Sequence, residues 1–266
     1  MFNYQPTLKP LLGGCILLIL VFQFTFFNAF AQSKKSSGKN KKADELYQKA
    51  LVLADSAKYD SAVLLLQQAL GKYERKKNDE KIILCRNEIV KQSRYLKFND
   101  ELLVYAKENI KLARGFLGAN HALTASAISL LGNIYADINK PDSALSYFLQ
   151  SVEIWKTDSV ENAELIAEGY VNIGKMFTEK GEYGLAANYI YKSLWLTTKL
   201  FGTDYCRISK IYHSLGILYY YSGSIDSCTH YFKKTLDFSE KCYHKDHPML
   251  AKAYNNAGIA FELRVI

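Results

Sequence analysis

In the second half of the chain a glycine returns every 42 residues, at Gly132, Gly174, Gly216 and Gly258. It sits each time in one short string, first Leu131-Gly132-Asn133-Ile134-Tyr135 and last Ala257-Gly258-Ile259-Ala260-Phe261. Other positions keep the same register. Four residues before each glycine stand Ile128, Tyr170, Tyr212 and Tyr254; twelve after stand the small Ala144, Ala186 and Cys228; sixteen after stand the large Phe148, Ile190 and Phe232. Such spacings place these residues on one face of a helix. Turn signals fall between the halves, at Asn139-Lys140-Pro141-Asp142, Lys180-Gly181-Glu182 and Ser222-Gly223-Ser224. One period is therefore helix, tight turn, helix and link. A unit this small cannot bury its own apolar face, so the units must stack on one another.

The pattern decays toward the N-terminus. Asp60-Ser61-Ala62 repeats Asp142-Ser143-Ala144, with Ala50, Leu66 and Ala69 in their expected slots, while Val90, Leu102 and Tyr105 mark a second unit without its glycine. Small residues let two helices approach closely, and large ones fill the hole beside them. Only four prolines occur, two of them at Pro6 and Pro10, which favours long helices.

This arrangement of a large apolar residue, Leu-Gly, Tyr, then Ala, Phe and Ala resembles the tetratricopeptide repeat (TPR) family over about residues 43–266. The 42-residue period, with His121-Ala122 and Asp246-His247-Pro248 in the links, resembles its kinesin-light-chain-like subgroup. Ser151, Ser193 and Thr235 depart from it where alanine is usual. The resemblance implies an all-α fold, an α-solenoid of helix-turn-helix repeats coiled into a right-handed superhelix. Five helix pairs and an incomplete sixth unit are expected. The stretch 258–266 has only Glu262 and Arg264 as polar residues, so a truncated or interrupted array that pairs through this end is expected.

Ahead of the repeats, Leu11 to Ala31 is a continuous apolar run preceded by Lys9 and closed by Ala29-Phe30-Ala31, a small-x-small cleavage pattern. Residues 1–31 read as a signal peptide, and residues 32–42 as a basic Ser/Lys linker. The expected location is periplasmic or extracellular. Five lysines after the run, and its bilayer-spanning length, keep an uncleaved inner-membrane anchor open as the alternative. The formal charge of +8 mostly belongs to these segments, since residues 43–266 carry only +2. A nucleic-acid footprint needs basic residues clustered on a folded face, so no nucleic-acid partner is expected.

The sequence contains no nucleophile elbow, HExxH, Walker loop or dinucleotide glycine motif, and no enzyme, cofactor or metal is expected. Cys242, His244, Asp246 and His247 crowd together without the spaced pairs of a zinc site. His247 instead shares a register with His121 and Tyr205, where a helix starts. If the repeats are exported, a Cys206–Cys242 disulfide is open, because both lie about equally far from the turn at Gly223. Equal height alone does not fix the required Cβ geometry. Cys228, in a core slot, should stay a free buried thiol.

In this family the first helix of each pair lines a concave groove. The matching positions hold Ser129, Asn133, Asn172, Lys175, Lys210, His213, Tyr220, Lys252, Asn255 and Asn256. Asn133, Asn172 and Lys210 resemble three of the five positions of a carboxylate clamp, with Ser129 and Ser214 replacing the other two, both cations. The expected function is a non-catalytic scaffold holding a peptide or protein segment. The alternative, by analogy with bacterial arrays, is the sensory region of a histidine kinase, transcription regulator or CHAT-type (caspase-like) peptidase whose effector domain lies outside this chain.

Overall fold

The computed structural model describes residues 41–96, 100–202, 206–243, 245 and 247–265, with side chains through Leu263. Every regular element among them is helical. The order begins α1 (41–55), α2 (Tyr59–Arg75), α3 (Asp79–Ser93), α4 (Asp100–Leu117), α5 (Ala122–Asp137) and α6 (Pro141–Trp155). It continues α7 (Ala163–Glu179), α8 (Tyr183–Phe201), α9 (Ile208–Tyr221), α10 (Ile225–Cys242) and α11 (Pro248–Val265). Five hairpins and a last helix form an α-solenoid. Lys41 and Lys42, expected in the linker, are already helical; both are exposed good helix formers that extend α1 at no packing cost. The apolar run and the Ala29-Phe30-Ala31 site lie outside the described residues.

The recurring glycine is a point of close approach. A Cβ on Gly132 would meet the Phe148 ring at 2.9 Å, one on Gly174 would meet Ile190 at 2.5 Å, and one on Gly216 would meet Phe232 at 2.5 Å. Ala144, Ala186 and Cys228 beside them are essentially inaccessible. Gly258 repeats the motif on α11, where its Cβ would meet nothing within 4 Å.

Two further devices follow the period. The aromatics three and fifteen residues after Gly132, Gly174 and Gly216 stack within their hairpins, as Tyr135 on Tyr147, Phe177 on Tyr189 and Tyr219 on Tyr231. The turns carry Asn139, Gly181 and Gly223 at φ of 57°, 76° and 77°. Glycine and asparagine are the residues that tolerate this left-handed backbone.

The links are capped by histidine. The Nδ1 of His121 accepts the backbone N–H of Leu123, and His247 does the same for Met249, each at 3.1 Å. His244, Asp246 and Tyr205 lie outside the described residues. Where the second unit lacks its glycine, a polar network takes over. Asn109 donates to Asn87 at 2.7 Å, Asn87 donates to the Leu123 carbonyl, and Arg86 donates to Asn109 while lying over the Tyr105 ring.

A disulfide joins Cys206 to Cys242, across the open end of the α9–α10 hairpin, with Cα atoms 5.6 Å apart. Its closure takes the Cys242 sulfur out of any metal-ligand role. Cys85 and Cys228 are free and buried. The Ser151 hydroxyl donates to the Phe148 carbonyl and that of Thr235 to the Tyr231 carbonyl, whereas the buried Ser193 hydroxyl has no partner among the described residues.

Candidate functional site

The odd-numbered helices share a face. Between α3, α5 and α7 it forms a recess of about 200 Å³, lined by Arg94, Asn133, Asp137, Asn172, Lys175 and Glu179 over a floor of Ala136, Phe148 and Met176. The repeat geometry explains the convergence. Asn133 and Lys175 each follow a repeat glycine, and Asn172 precedes one by two residues, so all three project from equivalent turns of successive first helices. Of the residues read from the sequence, the structure brings these three together.

Three charged residues of the lining, Arg94, Asp137 and Glu179, lie outside the set read from the sequence. Arg94 stands four residues after Val90, the position of the absent glycine, so extending the register through that unit would have found it. It forms a bidentate pair with Asp137, Nε to Oδ2 at 2.7 Å and Nη2 to Oδ1 at 3.0 Å. That pair ties the end of α3 to the end of α5 and closes one wall of the recess.

Lys175 lines the recess with its side chain still exposed to water, and its pKa is lowered. Removal from bulk water is the main cause; Lys252, Lys210 and Arg94 act in the same direction, and Glu168 opposes them. Burial likewise raises the Glu179 carboxyl, with Lys175 acting against it.

The next units extend the strip. His213 on α9 lies with its ring 6.1 Å from Phe232, and its Nε2 is buried with no partner among the described residues. Its pKa is pushed down to about 3, first by burial and then by Lys252 and Lys175. The imidazole is therefore neutral across the physiological range. On α11, Asn256 is buried and its Nδ2 also lacks a partner among the described residues, while Lys252 is exposed. Lys210 is exposed on α9. Ser214 is turned inward, donating to the Lys210 carbonyl, and so adds no donor to the face. Tyr220 lies outside the recess, 44% exposed at the end of α9 and edge-on to Tyr221. Chemically the face offers amides and ammonium groups, a set suited to fixing a peptide backbone and its carboxylates.

Among the described residues no group of three or more His, Cys, Asp or Glu side chains is placed to hold a metal, and no helix is long and apolar enough to cross a membrane.

A sequence model of the tetratricopeptide repeat matches residues 93–157. No curated protein matches the chain. Solved structures share its fold. Aspartyl phosphate phosphatase F from Bacillus subtilis is 16% identical, with a TM-score of 0.62 over 87% of this chain and 59% of its own. A Rap protein complexed with competence and sporulation factor is 13% identical, with a TM-score of 0.59 over 92% and 73%. Kinesin-light-chain-type TPR-like repeats from Podosopora anserina are 12% identical, with a TM-score of 0.55 over 76% and 96%.

Proposed function

Taking the chain as a tetratricopeptide-repeat protein, we propose that it is a non-catalytic scaffold that holds a peptide or protein segment along the face of its odd-numbered helices. The observation that carries this reading is the recess where Asn133, Asn172 and Lys175 converge from two successive repeats. Two side-chain amides offer both donors and acceptors to an extended backbone, and an ammonium supplies charge for a carboxylate. Solenoid arrays use such continuous faces for binding.

The Cys206–Cys242 disulfide supports an exported chain, because such bonds persist in oxidising compartments. The apolar run ahead of the repeats agrees with that reading, and cleavage after Ala31 would start the mature protein at Gln32.

Peptides selected by the mature protein from a random display library test the proposal by calorimetry. Asn172→Ala and Lys210→Ala should each weaken binding by roughly 1–3 kcal/mol, the range for hydrogen bonds to charged groups. Helicity and melting temperature should stay unchanged. Undiminished binding by the double variant would place the ligand elsewhere.

A further inference from the structure

In three successive hairpins one stripe of the first helix lies under the second. On α5, Phe148 of α6 stands over Gly132 and Tyr147 stacks on Tyr135. On α7, Ile190 stands over Gly174, and Tyr189 sits against both Tyr170 and Phe177. On α9, Phe232 stands over Gly216, and Tyr231 sits against both Tyr212 and Tyr219. The same register on α11 gives Ala251, Tyr254, Gly258 and Phe261. Among the described residues no helix lies on that stripe. Nothing comes within 4 Å of a Cβ on Gly258, and Tyr254 and Phe261 are 52% and 67% exposed. Leu250, Ala253 and Ala260, on the far side of α11, are buried, Ala260 against Phe232 of α10. The stripe therefore points outward, with a glycine gap beside two rings, a shape that receives a helix everywhere else in the array.

What can cover it follows from the rest of the chain. The even-numbered helices already spend their inner faces on their own hairpins. At the other end of the array α1 turns Lys41, Glu45, Gln48 and Lys49 to solvent, so head-to-tail stacking would press the rings against charged groups. Reversed, however, the stripe is complementary to itself. Tyr254 and Phe261 stand two turns apart on one side of Gly258, and Lys252 and Glu262 fall on the other. Two antiparallel α11 helices crossing at the glycines bring each Tyr254 to Phe261 of the other copy, and each Lys252 to Glu262. A parallel pair would set Lys252 against Lys252 and Glu262 against Glu262.

We infer that α11 is a self-association surface, on which a second copy of this chain lays its own α11 antiparallel across the stripe and closes a two-fold dimer. Gly258 lets the backbones approach without side chains between them. The rings supply the apolar contact and the charged residues its rim. A contact made by one helix from each copy is small, so the dimer is a weak, concentration-dependent one.

Sedimentation velocity of the protein beginning at Gln32 tests this. The mass should rise with concentration from one copy to two and stop there, because an isologous contact closes. Gly258→Leu places its side chain in open space in the single copy but on the crossing in the pair. It should weaken dimerisation about tenfold or more, the effect of overpacking a close contact. The urea midpoint of the dilute protein should not fall. Phe261→Glu should behave alike, since the ring is exposed in the single copy. Lys252→Glu and Glu262→Lys should each weaken the pair several-fold, and the double swap should restore it. Trp195→Ser, an exposed position on α8, should leave dimerisation unchanged. A single copy at every concentration, growth beyond two copies, or a dimer that survives Gly258→Leu and Phe261→Glu together would overturn the inference. A dimer lost in Trp195→Ser would overturn it by placing another face at the contact. A double swap that fails to restore association would overturn the antiparallel pairing.

Discussion

At the scale of single residues the decisive quantity is a few tenths of an ångström. Alanine is preferred to glycine inside a helix by about 1 kcal/mol. At Gly174 that gain meets a Cβ 2.5 Å from Ile190 Cγ1 and 3.1 Å from the Ala186 carbonyl, a backbone atom that cannot move aside. Overpacking typically costs about 1–3 kcal/mol, so Gly174→Ala should be destabilising. Gly258→Ala, with nothing within 4 Å, should instead stabilise the chain by about 0.5–1 kcal/mol. Urea denaturation of the two variants checks both signs. His213 yields a second expectation. Its folded pKa of about 3 lies below its ordinary 6.5, so between those values the unfolded chain binds a proton that the native state refuses. The stability contributed by neutral His213 is complete above about pH 6.5 and is lost as pH falls toward 3. In His213→Asn the drop in melting temperature from pH 7 to pH 4.5 should be smaller than in the parent chain. An unchanged drop would show that carboxylates alone govern it.

Elements explain what could be read in advance and what could not. The 42-residue register located the close-packed glycines, the small and large slots opposite them and the helix starts at His121 and Pro248, because sterics repeat when geometry repeats. The site was half legible for the same reason. Asn133, Asn172 and Lys175 fell into known slots, whereas Arg94 was hidden because its unit carries Val90 in place of glycine. The Asn87–Asn109 bond was not legible at all, since polar pairing between helices follows no hydrophobic period. The α9–α10 hairpin has its own test. Four cysteines remain if the mature chain starts at Gln32, two of them in the Cys206–Cys242 bridge. Denatured, unreduced protein should therefore titrate two thiols, and reduced protein four. Native protein should titrate none readily: burial pushes the Cys85 thiol up to about 12, and burial raises that of Cys228 too. Four thiols without reduction would mean that the bridge is absent in the isolated protein.

Over the whole molecule, stability is a sum of units and of the interfaces between neighbours, with few contacts linking distant parts. The ion pairs that cross units, Lys81 with Asp44, Arg94 with Asp137, Lys180 with Asp142 and Arg207 with Glu164, each join adjacent ones. The recess draws its lining from three successive units, through Arg94 after α3, Asn133 and Asp137 on α5, and Asn172 and Lys175 on α7, so a ligand in the proposed groove would bridge all three. The constancy of the glycine interval also bears on how such a chain can change its length. Removing residues 133–174 would splice Gly132 directly onto Lys175 and set that glycine against Ile190, a contact the native chain already makes with Gly174. Each seam produced in this way reproduces an existing one, and the Cys206–Cys242 bridge is left untouched. Excision or duplication of a whole period is thus nearly silent for folding, whereas loss of even one residue inside a helix displaces every later side chain by about 100° around its axis. A gene of this kind can lengthen or shorten its product by unequal crossing-over at almost any phase, provided the exchanged lengths match the interval.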